Sequence, residues 1–222
     1  MELQASIDAY CERLGPGLWA EPVNALTNLA FVAVAVWLWP RTTGLGVARL
    51  LVGILALIGL GSGLFHTFAT GWAALADMLP ILGYILVYIY AANRHFWGWP
   101  VWASLLGAAG FVPWAAALTP VFGALPFFEV SAFYWPVPLL IALYGLALWR
   151  RAQGTARGLL AGAAILCLSL TARSLDESLC AAVPLGTHFL WHVLNAVMLG
   201  WMIVVLLRHR GDPRLEAGGG LR

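Results

Sequence analysis

Apolar residues run along the chain in seven long blocks, at about 24–39, 47–69, 72–92, 97–118, 131–149, 157–172 and 186–207. The breaks between them are Pro40-Arg41, Thr70-Gly71, Asn93-Arg94, Thr119-Pro120, Arg150-Arg151 and Val183-Pro184, the turn and charge signals that end membrane spans. A helix needs roughly 20 apolar residues to cross the hydrocarbon core. The pattern therefore predicts an all-α membrane protein, a bundle of seven transmembrane helices forming one domain over residues 1–222. Residues 1–23 form its N-terminal segment and 208–222 its tail. Pro113, Pro136 and Pro138 fall in the fourth and fifth blocks, and prolines are tolerated in membrane helices where neighbours satisfy the freed backbone. Glu2, Asp8, Glu12 and Glu21 precede the first block, with no positive n-region and no short apolar stretch before a small-residue cleavage site. That arrangement predicts no cleaved signal peptide.

Composition sharpens the class. The chain is 62% apolar and 10% charged, against the roughly 25% charged of an average soluble domain, which excludes a soluble globular protein. A net charge of +2 excludes a strongly basic nucleic-acid binder, and no obligate protein partner is evident. Three cysteines are too few for a disulfide-built scaffold, and none forms a CxxC pair. The twelve basic residues are all arginine, and ten of them fall in one set of alternate segments: Arg41, Arg49, Arg94, Arg150, Arg151, Arg157, Arg208, Arg210, Arg214 and Arg222. Arg13 and Arg173 fall in the other set, beside all the acidic residues except Asp212 and Glu216. Cytoplasmic loops carry the positive excess, so the expectation is an outer N-terminus and a cytoplasmic C-terminus. An inner bacterial membrane with the site facing the periplasm suits that orientation.

Against so apolar a background, a few polar residues converge. Ser62 and His66 stand four apart at the end of the second helix, so they share a face. The turn at Thr70-Gly71 brings Asp77 back at comparable depth on the third helix. The seventh helix begins on the same side with His188 and His192, again four apart. An ionised aspartate at the middle of a membrane helix costs about 2.5 to 3.5 kcal/mol, and a dication held by three histidines offsets it. Catalytic zinc typically takes three protein ligands and keeps one open position, and neutral imidazole is a favoured ligand. His66, His188 and His192 are thus candidate zinc ligands, whereas the alternative for each histidine alone is a hydrogen-bonded packing role. His95 and His209, beside Arg94, Arg208 and Arg210, read as interfacial residues without a chemical role. The twelve tryptophans, with Tyr88, Tyr90 and Tyr134, read as an interfacial aromatic belt, and Trp191 as a packing residue. A serine-protease reading of Gly61-Ser62-Gly63 leaves two histidines without a task. A haem carrier is disfavoured because axial histidines usually face each other from different helices.

Tyr10-Cys11-Glu12, Glu21-Pro22-Val23-Asn24 with Thr27-Asn28, Gly61-Ser62 through His66, Asp77-Met78-Leu79-Pro80 and His188 to His192 together resemble the alkaline ceramidase family. That family sits within the wider superfamily of seven-helix membrane hydrolases that includes the adiponectin-receptor-like proteins. The resemblance spans nearly the whole chain. It implies that His66, His188 and His192 bind zinc, that Asp77 is the general base and that Ser62 helps hold the oxyanion. It also implies a calcium site at the N-terminal segment. Glu12 and Glu21 match two of its acidic ligands, and Asp8 serves for a third if the alignment slips by one, because Ala9 stands where an aspartate is expected. Tyr10 replaces a tryptophan, and Leu14 an asparagine ligand. Hard oxygen ligands suit calcium, but acids before a helix N-terminus are equally favoured by its dipole, and both readings stand at this point.

Cys11 and Cys180 both fall on the outer side, in an oxidising compartment, which predicts a disulfide between them. The function expected is hydrolysis of a ceramide-like membrane lipid to a fatty acid and a sphingoid base. A site one or two turns below the outer surface lies where the amide of a two-chain lipid sits. Two alternatives remain: a hydrolase of another lipid amide or ester, and a zinc-containing lipid receptor that binds without cleaving.

Overall fold

The computed structural model describes residues 3–211. Glu2, Asp212, Arg214, Glu216 and Arg222, which carry part of the charge reading, lie outside the described residues, as does most of the 208–222 tail. The elements are helical: α1 (Pro22–Thr27), α2 (Leu29–Leu38), α3 (Gly46–Phe68), α4 (Gly71–His95), α5 (Val101–Ala109), α6 (Phe111–Gly123), α7 (Pro136–Leu148), α8 (Gln153–Leu179) and α9 (His188–Arg210). Among the described residues there is no strand, only an isolated bridge between Ser6 and Thr70 that lays the N-terminal segment along the α3–α4 turn.

Six stretches are long and apolar enough to cross a membrane: Pro22–Thr42, Gly46–Phe68, Gly71–His95, Val101–Gly123, Gln153–Leu179 and His188–Arg210. This makes the chain a helical membrane protein. The fifth apolar block behaves differently from the expected full span, because only the 13 residues of α7 are helical. At 1.5 Å per residue they reach about 20 Å, short of the roughly 30 Å hydrocarbon core. Pro136 starts this helix at its first position, where a missing N–H costs nothing, and turns around a 3-10 segment, Glu129–Ser131, fill the approach. The fourth block is divided at Gly110 into α5 and α6.

The sixth block is longer than its apolar run. Helix α8 continues through Arg173, Ser174 and Asp176, whose side chains find internal partners. Arg173 donates to the Val130 carbonyl and to Ser131 Oγ, and the Ser131 and Ser174 hydroxyls pair at 2.9 Å. Asp176 is therefore a second acid inside a helix, 1% exposed, where the apolar pattern places only Asp77.

Helix α9 is the central element, its apolar residues packed with Leu38, Leu51, Leu55, Ile58 and Leu170 into one core. Large apolar side chains such as Leu57, Leu60, Leu79, Trp102 and Leu106 point outward, as lipid-facing surface does. At the arginine-rich end His209 accepts or shares a proton with Thr155 at 2.7 Å and meets the His95 carbonyl at 3.0 Å, knitting α4, α8 and α9 together. That is a packing role.

The α3–α4 pair sets the site. Helix α3 ends at Ala69, whose left-handed backbone (φ 46°) turns the chain into the extended Thr70, and α4 starts at once. Pro80 lies inside α4 and has no N–H for the carbonyl of Ala76 four residues earlier. That carbonyl faces Gly61, where any Cβ would collide with it. Glycine at 61 thus lets the helices meet one residue from Ser62 and Asp77. Gly61→Ala is expected to push α3 and α4 apart and destabilise the fold by about 1–3 kcal/mol, read as a lower melting temperature in detergent.

Candidate metal centre

The last turns of α3 carry Ser62 and His66, and the first turn of α9 carries His188 and His192, so the helix order brings two i,i+4 faces together. The three imidazoles are 1–2% exposed. Their ring centroids are 5.1 Å (His66–His188), 4.6 Å (His66–His192) and 4.7 Å (His188–His192) apart. One nitrogen from each lies within 4.8 Å of the others, close enough to hold one metal ion.

The partners of these rings fix their tautomers. Thr27 Oγ1 donates its proton to the Val23 carbonyl at 2.8 Å, so toward His192 Nδ1, at 2.9 Å, it can only accept. His192 therefore carries its proton on Nδ1 and leaves Nε2 as a lone pair. His66 Nδ1 meets Glu21 Oε2 at 2.5 Å, and a carboxylate accepts only, so His66 is set the same way. His192 Nε2 and His188 Nδ1 are buried with no partner among the described residues. Buried polar atoms rarely go unsatisfied. A metal ion is a partner that suits converging imidazole lone pairs, and the carboxylate behind His66 matches the outer support usual for a metal-binding histidine.

Glu21 is itself held. Arg13 Nε donates to its Oε1 at 2.5 Å, and Asn24 Nδ2 to its Oε2 at 3.3 Å. Burial alone would raise the carboxyl pKa, but hydrogen bonds from His66 and Arg13 and the charge of the guanidinium outweigh it and hold Glu21 below the usual range. Arg13 is 5% exposed and also reaches the carbonyls of Gly15 and His66.

These commitments bear on calcium. Glu12 uses both oxygens to accept the first amides of α1, Val23 at 2.7 Å and Asn24 at 2.8 Å, as acids at helix N-termini do. Glu21 serves His66 and Arg13. Asp8 and Leu14 are exposed, Leu14 by 92%. Tyr10 stacks on His188 at 3.7 Å between ring centroids, and burial pushes its phenol pKa up, so it stays protonated. Asp8, Glu12 and Glu21 do not form a group whose oxygens could share one ion. In this arrangement the carboxylates expected for calcium are already taken up, Glu12 by the amides of α1 and Glu21 by His66 and a buried guanidinium.

Cys11 and Cys180 are joined by a disulfide, with Cα atoms 5.2 Å apart. Next to it stands Asp176, which sequence reasoning missed. Its Oδ1 accepts the amides of Thr187 (2.6 Å) and His188 (2.8 Å), and its Oδ2 the amide of Cys11 (3.0 Å). One carboxylate thereby caps α9 at its first histidine and ties the N-terminal segment to it. Gly186 sits against this carboxylate at φ +69°, where a Cβ would collide with Oδ1. The only sequence signal was the neighbouring Gly-Thr-His, a turn followed by a helix start.

Asp77 is half-buried and Ser62 buried, and the two side chains lie close to one another across the α3–α4 contact. Asp77 is not part of the metal group. Both residues line a cavity of about 40 Å³ together with Trp191 and Asn195. A second cavity, of about 60 Å³, shares Ile85, Val137, Met198 and Leu199 with the first and is lined by apolar surface. Tyr84 and Tyr88 turn their rings to it because their hydroxyls are bonded to the α9 carbonyls of Leu199 (2.7 Å) and Met202 (3.0 Å).

No protein-family model matches this chain, and no curated protein matches it.

Proposed function

We propose that this protein is a zinc-dependent intramembrane amidase that hydrolyses the N-acyl bond of ceramide-type sphingolipids, the activity that its resemblance to the alkaline ceramidases implies. The observation that carries this reading is the junction of two unlike environments. Three buried histidines, two of them with a nitrogen lacking a partner among the described residues, lie within a helical turn of Ser62, which with Asp77 lines a cavity that shares walls with a second, apolar one.

When bound, zinc supplies a Lewis acid that brings the pKa of a water toward about 7. His66, His188 and His192 hold it, and Glu21 and Thr27 fix the orientation of two of the rings. Asp77 accepts a proton from the attacking water as the oxygen adds to the amide carbonyl carbon. The Ser62 hydroxyl donates to the oxyanion that forms, a contribution of about 3–4 kcal/mol for one donor in a well-studied hydrolase. Collapse breaks the C–N bond, and Asp77 returns its proton to the leaving nitrogen. The products are a fatty acid and a sphingoid base.

The charge distribution supports seven crossings with the N-terminus outside, the short α7 serving as one of them beside its turn region. His66, His188 and the disulfide then lie at the outer face, the periplasmic side if the host membrane is a bacterial inner membrane. Metal analysis paired with hydrolysis of an N-acyl sphingoid base tests the function. About one zinc per chain is expected, with release of fatty acid that stops on chelation and returns with zinc. Binding of the lipid without release of fatty acid would overturn the amidase in favour of a receptor.

A further inference from the structure

Among the polar side chains of the cavity that the mechanism leaves unused, Asn195 carries a buried acceptor without a partner among the described residues. Asn195 follows His188 by seven residues and His192 by three on α9, which puts all three on one face. It is 7% exposed and lines the same cavity as Ser62 and Asp77. Its Oδ1 is buried and has no hydrogen-bond partner among the described residues. Leu199, one turn further along α9, passes its backbone carbonyl to Tyr84. A buried acceptor without a donor destabilises a fold unless something else supplies the donor.

We propose that Asn195 Oδ1 receives the N–H of the scissile amide and so makes the site selective for secondary amides over esters. The proposal rests on the amidase reading and narrows its substrate class. The reacting group of a secondary amide offers one acceptor and one donor. Ser62 gives its one proton to the carbonyl oxygen, and Asp77 is committed to the attacking water. Asn195 is then the acceptor available for the N–H. An ester of the same shape has no N–H, so its binding leaves Oδ1 unpaired in a water-poor cavity. Sites built around such a polar group reject the analogue that lacks it more strongly than apolar pockets reject a missing methylene.

The test compares a secondary amide and the corresponding ester, each with the same two bromine-labelled alkyl chains and no hydroxyl groups. Zinc-loaded, full-length wild type and Asn195→Leu are used. Binding is read as quenching of tryptophan fluorescence on mixing, before turnover, since Trp191 lines the cavity. Wild type is expected to bind the amide about ten- to a hundredfold more tightly than the ester, and Asn195→Leu to bind the two alike. The ligand-free Asn195→Leu protein should melt no lower than wild type, because leucine removes an unpaired buried acceptor; a purely structural asparagine would give a lower melting temperature. Equal binding of amide and ester by wild type, or an unchanged preference in Asn195→Leu, overturns the proposal. Hydrolysis separates it from the reading beneath it. A preference that depends on Asn195 without any hydrolysis removes the amidase and keeps the amide recognition. Hydrolysis with a preference indifferent to Asn195 does the reverse.

Discussion

Asp77→Asn is expected to lower kcat for amide hydrolysis by about 10²–10⁴-fold, the span of a positioned general acid–base, while bound zinc and melting temperature stay at wild-type values. Asparagine keeps the shape of the side chain and an acceptor for the Ser62 hydroxyl, so the contact between α3 and α4 survives. What it loses is the capacity to take a proton from water and return it to nitrogen. The metal group consists of the three histidines without Asp77, which is why the metal should remain. Single-turnover hydrolysis and metal analysis on the same preparation check both halves. Loss of zinc in the variant would make Asp77 a ligand, and full activity would place the base elsewhere. Ser62→Ala gives a graded control, with a fall of about 10²–10³-fold expected for one oxyanion donor.

The parts of this site that were legible in the sequence are those governed by periodicity. Ser62 with His66, and His188 with His192, each lie four apart inside strongly apolar helices, and the short Thr70-Gly71 turn leaves α4 little choice but to return along α3. Their meeting follows from helix geometry and chain order. The supporting residues follow no such rule. Glu21, Thr27 and Arg13 act through single hydrogen bonds made after the helices have packed, and Glu21 and Glu12 look alike in sequence although one supports a histidine and the other caps a helix. Asp176 was hidden because its stretch of α8 is too polar to extend an apolar block, and stays helical only through partners on other elements. The shortness of α7 was hidden by a different cause. Residues 131–149 are apolar enough to cross, but Pro136 and the 3-10 turn before it shorten the helix.

Arg13 supplies the charge that balances the buried Glu21. A buried carboxylate beside a candidate metal ligand needs a cation. Here that cation is covalently part of the chain, held to Glu21 at 2.5 Å with both side chains 1–2% exposed. Arg13→Met fills similar volume but leaves Glu21 as an uncompensated buried charge. Removing one partner of a buried pair costs about 3–5 kcal/mol, so a large drop in melting temperature is expected, with weaker zinc retention because the partner of His66 is no longer held. The double variant Arg13→Met with Glu21→Gln removes both charges and is expected to recover much of the melting temperature, since neutral replacement of a buried pair is often tolerated. Zinc retention should recover less, because an amide is a poorer acceptor for His66 Nδ1 than a carboxylate. Adding calcium or a calcium-selective chelator should leave wild-type melting unchanged. A calcium-dependent rise in wild type would mean that Glu12 and Glu21 can release their present partners for an ion. An Arg13→Met protein as stable as wild type would mean that the guanidinium is not what neutralises Glu21.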